Sequence, residues 1–240
     1  MQHLRPMRAA LAASVLLACG AAATAADSTC YGRPGQGRLE DGVALPGNGV
    51  NFSAYSSLAA GLGRTYVHST VRNVAVEAYA ALATALPGTV FVYGETGREH
   101  GGPMRPHRTH QNGLSIDFMV PVRDGAGRSV PLPTLASQKF GYALEFDSQG
   151  RLGDLRIDFE AVGAHLVALD RAARARKAGL ALVIFDPRYL PTLMATSHGP
   201  YLQARLKFMH GPAWVRHDEH YHVDFAVPCL SLSASPAAKR

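Results

Sequence analysis

The stretch Arg216-His217-Asp218-Glu219-His220-Tyr221-His222-Val223-Asp224-Phe225 constrains the fold more than any other part of the chain. From His220 onward polar and apolar residues alternate, and side chains in an extended strand point to opposite faces with period two. His220, His222 and Asp224 therefore share one face, while Tyr221, Val223 and Phe225 share the other. Two imidazoles and a carboxylate project one way, and three apolar groups anchor the strand in a core. His217 stands just before the strand and leans over the polar face.

A second segment upstream has the complementary chemistry: His107-Arg108-Thr109-His110-Gln111-Asn112-Gly113-Leu114-Ser115-Ile116-Asp117-Phe118. Gly113 marks the entry to a strand over 113–121. In it Leu114, Ile116 and Phe118 face one way and Ser115 and Asp117 the other. A histidine from a loop and an aspartate from the strand it leads into can converge on one ion. Neutral imidazole and carboxylate both suit zinc in a tetrahedral site with one open position. His110, Asp117 and His222 supply three protein ligands.

The two segments together resemble a known family. His-x6-Asp followed by a distant His-x-His is the pattern of the zinc peptidases grouped around lysostaphin, the D-Ala-D-Ala peptidases and the hedgehog fold. The closer resemblance is to penicillin-insensitive murein endopeptidase. Its Ser/Thr-His-Gln-x-Gly-Leu-x-x-Asp segment is matched by residues 109–117, and its His-x-x-His-x-His by His217, His220 and His222. His107 matches a further histidine three residues before the first ligand, and Arg64-Thr65-Tyr66-Val67-His68 is a weaker echo. The resemblance runs from Cys30 to Cys229 and is loose over 121–212. It implies one zinc ion, since the Asp-x-x-His pair that holds a second ion in some members is not found. It implies that His220 is the general base and that His217 steadies the oxyanion. His107 is read either as an additional ligand or as a donor behind the ligands, and Asp224 either as an orienting carboxylate or as a rim charge. The substrate implied is peptidoglycan, cut at D-Ala–meso-diaminopimelate cross-links. A D-Ala-D-Ala dipeptidase or carboxypeptidase, or a zinc-containing cell-wall-binding protein, are the alternatives. Specificity is expected to lie in loops 95–108 and 122–140.

Composition agrees with export. Arg5 and Arg8, the apolar run 9–18 and Ala23-Thr24-Ala25 read as a signal peptide over 1–25. Leu16-Leu17-Ala18-Cys19-Gly20 also reads as a lipoprotein box, so a lipid anchor at Cys19 is the alternative to a free periplasmic protein. No other stretch is apolar enough for a transmembrane segment. Of 24 basic residues two lie in this leader, leaving 22 against 18 acidic residues and a net charge of +4. Such a mild excess suits an anionic cell-wall polymer. No basic helix or aromatic-interleaved patch argues for nucleic acid. Cys30 and Cys229, one near each end of the mature chain, read as a disulfide in an oxidising compartment. No Gly-Lys-Ser/Thr loop or Gly-x-Ser-x-Gly elbow offers a rival chemistry.

The remaining pattern gives one domain over 26–230 and a disordered tail over 231–240. Residues 31–63, rich in Gly, Pro, Asn and Ser, read as wrapping loops. A helix is expected over 69–86, capped by Ser69 or Thr70, then a strand over 89–94. Residues 95–108 form a loop at the rim of the site, where Glu95, Glu99 and His100 are candidates to line it. A strand is expected over 141–147, with a hairpin at Ser148-Gln149-Gly150. A second helix over 159–177 is capped by Asp158, and a buried strand over 180–185 follows. Short helical pieces are expected over 188–194 and 199–207. This order argues for an α+β fold, a mostly antiparallel central sheet with helices packed to one side and the zinc site on neighbouring strands.

Overall fold

The computed structural model describes residues 27–211 and 213–236. The expected leader with its Cys19 box, and residues 237–240 of the expected tail, lie outside them. In chain order the elements are β1 (Thr29–Arg33), β2 (Gln36–Glu40), β3 (Val43–Ala44), β4 (Phe52–Ala54), α1 (Ser57–Gly61), β5 (Tyr66–Val67), α2 (Ser69–Ala85), β6 (Phe91–Tyr93) and β7 (Ser115–Met119). They continue with β8 (Val122–Arg123), β9 (Ser129–Val130), β10 (Arg151–Leu152), β11 (Leu155–Ile157), α3 (Phe159–Ala175), β12 (Leu180–Ile184), α4 (Leu190–Met194), α5 (Gly199–Arg205) and β13 (His220–Phe225).

The histidine strand lies inside the main sheet, whose order is β12-β13-β7-β6-β4. β13 runs antiparallel to both neighbours, and only the β4–β6 pair is parallel. The fold is therefore α+β with a mostly antiparallel sheet. The register sets His222 opposite Asp117, Asp224 opposite Ser115 and Tyr221 opposite Phe118. Alternation then gives the sheet an apolar face and a polar face.

The two long helices cover the apolar face. Tyr79 of α2 meets Phe118 edge-on at 6.3 Å between ring centroids, and His165 of α3 meets it at 4.7 Å. Asp158 caps α3 as its sequence position suggests, accepting from the Ala161 N–H at 3.1 Å. A smaller four-stranded sheet, β10-β11-β8-β9, flanks the main one. Loops cover the polar face, so all six residues of β13 are buried.

Several local expectations differ from what forms. Residues 31–63 are not only loops. β1 and β2 make a hairpin around Pro34-Gly35, and β4 adds an edge strand to the main sheet beside β6. The cap of α2 is neither Ser69 nor Thr70 but His68, whose Nδ1 accepts from the Thr70 N–H at 3.1 Å. No strand forms over 141–147. Lys139, Phe140 and Gly141 take left-handed backbone (φ 50°, 57° and 100°), which coils this segment instead of extending it. The hairpin expected at 148–150 does not form, since no strand precedes it; a turn stands there, closed by Gly150 N–H to the Asp147 carbonyl at 3.0 Å, and the hairpin follows it, between β10 and β11. Within the segment read as a tail, Leu232–Ala234 form a single 3-10 turn.

Candidate metal centre

Asp117 sits at the middle of the polar face, and its two oxygens have different surroundings. Oδ1 lies 3.2 Å from His110 Nε2 and 2.8 Å from His222 Nδ1. Oδ2 accepts from the Tyr142 hydroxyl at 2.9 Å and faces His107 Nδ1 at 3.8 Å and His220 Nε2 at 3.9 Å. The register of β7 and β13 brings Asp117 and His222 together. His110 comes from the loop before β7, at a left-handed φ of 67°, a conformation that costs a residue other than glycine about 1 kcal/mol or more. That loop is held in place by Gln111 N–H to the Pro34 carbonyl and Gly102 N–H to the Gln111 carbonyl.

Each of the five histidines is tethered through one ring nitrogen and turns the other inward. His110 Nδ1 donates to the Thr96 carbonyl at 2.8 Å, and His217 Nδ1 to the Val215 carbonyl at 2.9 Å. His222 Nε2 donates to Asp224 Oδ1 at 2.9 Å, and Asp224 is itself fixed by the Ser115 hydroxyl at 2.6 Å. His220 Nδ1 pairs with Glu219 Oε1 at 2.8 Å. His107 Nε2 pairs closely with Glu95 Oε2. Glu95 in turn accepts from Arg64 Nη2 at 2.7 Å and from the Tyr55 hydroxyl at 2.8 Å. Outer partners of this kind fix the tautomer and aim of a ligating imidazole.

The electrostatics follow from burial and these pairs. Burial alone opposes charge on Asp117, but the His110 and His220 imidazoles outweigh it and hold the carboxyl well below the usual range. Burial likewise opposes charge on Glu95, yet His107 and Arg64 pull its carboxyl down to about 2. His110 is pushed down mainly by burial, against the pull of Asp117. His217 is pushed down to about 4 by burial and by its neighbour His220. His222 resists burial because Asp224 and Asp117 flank it, and is held up to about 10. A cation at its Nδ1 must therefore displace a proton.

These residues suit a small cation. Two bonds of about 2.0–2.1 Å at the tetrahedral angle separate donor atoms by about 3.3 Å, close to the spacings of His110 Nε2 and His222 Nδ1 from Asp117 Oδ1. His107, His110 and Asp117 also form a group whose ligand atoms all lie within 4.8 Å of one another. His110 and His222, read as ligands from the sequence, and His107, read as a ligand or as a donor behind them, thus gather around the Asp117 carboxylate. His217 and His220 stand beside them, with ring centroids 4.6 Å apart.

The group opens into a cleft of about 540 Å³ walled by Tyr55, Phe140, Leu144, Trp214 and Val215. Glu95 lines it as expected, but Glu99 and His100 are exposed on the loop and do not. Asp224 is a buried orienting carboxylate, not a rim charge. Sequence reasoning missed Tyr142, Tyr55 and Thr96, whose contacts arise from loop packing and carry no motif, and Glu219, whose contact is with the adjacent His220. Arg64 had a signal in the Arg-Thr-Tyr-Val-His echo. Compared with known proteins, the chain matches no family model and no curated sequence.

Proposed function

We propose that this chain is an exported zinc peptidase that hydrolyses peptide cross-links of peptidoglycan, of the D-Ala–meso-diaminopimelate type. The observation that carries the reading is the convergence of His110 Nε2 and His222 Nδ1 on Asp117 Oδ1, with His220 Nε2 turned toward the same carboxylate. A zinc ion held by His110, Asp117 and His222 supplies Lewis acidity toward a scissile carbonyl and toward water. His107, tethered by Glu95, stands next to them as a further donor.

His220 fits the general base. Burial opposes its charge, but Asp117 and Glu219 outweigh that and raise its basicity; with the Nδ1 hydrogen committed to Glu219, the neutral form accepts the proton of an attacking water at Nε2. His217 is neutral at rest, and its Nδ1 hydrogen is committed to the Val215 carbonyl. Its Nε2 becomes a donor to an oxyanion only after taking up a proton, which growing negative charge in the cleft favours. Aromatic and aliphatic walls suit a peptide chain, and the small excess of positive charge favours an anionic wall polymer.

The disulfide between Cys30 and Cys229 suggests an oxidising, extracytoplasmic compartment, and no helix among the described residues is long and apolar enough to cross a membrane. With the leader sequence, this supports a periplasmic location. The test is digestion of purified cross-linked sacculi followed by fragment analysis. Cross-linked dimers should fall to monomers, chelation should stop the reaction, and zinc should restore it. His222→Ala should lose bound metal and activity together. Release of D-Ala alone makes the chain a carboxypeptidase, and no change with zinc present makes it a binding protein.

A further inference from the structure

We infer that Tyr142 is a positioning residue that reserves Asp117 for one-oxygen coordination and so keeps a coordination position open for the reaction. The inference rests on the metal reading above and goes beyond it.

The phenol has two committed hydrogen bonds. It donates to Asp117 Oδ2 at 2.9 Å and accepts from the Glu95 N–H at 2.8 Å. Oδ1, the oxygen facing His110 and His222, is left free of it. A carboxylate with both oxygens free can swing to bind an ion through both, which uses the position that water or substrate needs. Capping Oδ2 with a hydroxyl blocks that swing.

Two features of the backbone accompany this contact. Tyr142 is delivered by Lys139, Phe140 and Gly141, three successive residues in left-handed conformation, two of which are not glycine. Such strain persists only where surrounding contacts over-determine it. Here they include Phe140 N–H to the Leu135 carbonyl at 2.9 Å and the edge contacts of Phe140 and Tyr142 with Tyr55. On the other side, Gly94 makes room for the hydroxyl. A Cβ there would stand 2.5 Å from the Tyr142 oxygen and 3.2 Å from Asp117 Cβ.

The experiment loads the full mature protein with Co²⁺ and reads visible absorption per bound ion. Four-coordinate cobalt absorbs strongly, and five- or six-coordinate cobalt weakly. Tyr142→Phe removes the cap and keeps the ring, so its absorption per ion should fall severalfold as Oδ2 joins the ion. Gly94→Ala keeps the phenol but crowds its oxygen off Asp117, and should give the same change. It also keeps the test open if the first variant does not fold. A merely structural tyrosine would lower the melting temperature of the metal-free protein and leave the spectrum per ion unaltered, and that result overturns the inference. Wild-type protein that takes up no cobalt overturns the metal reading itself, a separate outcome.

Discussion

His220 and His222 lie two residues apart on one strand face, yet they have different partners, and the proposed function gives them different work. His222 points its Nδ1 at Asp117 Oδ1 from 2.8 Å, whereas His220 Nε2 stays 3.9 Å from the other oxygen. A ligand must reach the ion itself, but a base needs only hydrogen-bond reach of the water. His220→Ala should therefore keep near-stoichiometric zinc and lose about 10²–10⁴-fold in kcat with little change in KM. Metal analysis and turnover on one preparation check this. A loss of metal would make His220 a ligand, and a rate within a few-fold of wild type would make it a bystander. The same logic of tethers applies to His107, whose aim is set by a glutamate that Arg64 and Tyr55 hold in place.

At the scale of elements, β13 is a strand with a job on each face. Behind the site, Tyr221 turns into the helical layer and its hydroxyl meets His165 Nδ1 of α3 at 2.5 Å. His165 is fully buried, stacked on Tyr79, and its Nε2 has no partner among the described residues. Burial pushes its pKa down to about 3. An unfolded histidine titrates near about 6.5, so below that pH the unfolded chain binds a proton that the folded chain refuses. Stability from this group is intact above about pH 6.5 and declines as pH falls toward 3, by up to about 5 kcal/mol over the whole interval. His165→Phe should flatten that decline. Urea midpoints at about pH 7 and about pH 4 measure it, and parallel losses in wild type and variant would clear His165 of the effect.

Over the whole molecule, the chain ends are tied together. The Cys30–Cys229 disulfide spans 199 residues and joins β1 to the segment after β13, with Cα atoms 4.8 Å apart. Backbone bonds run beside it, from Leu230 N–H to the Cys30 carbonyl and from Gly32 N–H to the Leu230 carbonyl, each 2.9 Å. The amino-terminal hairpin also supports the candidate metal centre directly, since the Pro34 carbonyl holds Gln111 next to His110. Replacing both cysteines by serine should lower unfolding free energy by about 2–5 kcal/mol, the usual range for a native bridge. Denaturant unfolding of the oxidised, reduced and double-serine forms tests it, with the last two expected to agree. Equal stability of all three would mean that the backbone pairing alone holds the ends.

What the amino-acid sequence determined was periodic or chemical. Alternation through His220–Phe225 and Leu114–Phe118 specified two strands and which residues share a face, because period two leaves no other choice. Asp158 and the apolar stripe that follows specified α3, and with Cys19 in the expected leader the other two of the three cysteines pointed to each other. The candidate ligands were legible for the same reason, as histidine and aspartate at these spacings are residue types that can hold an ion. Tertiary structure alone decided the rest. That His222 faces Asp117, and not Ser115 or Met119, is a matter of strand register, which depends on partners more than a hundred residues apart. The pairings of Tyr142 with Asp117 and Glu95 with His107 depend on loops folding over the polar face. Those loops have no periodicity, and left-handed residues such as His110, Lys139 and Phe140 carry no glycine to announce them. A contact made by a loop is fixed by what the loop packs on, and a linear sequence does not contain that neighbour until the chain has closed around it.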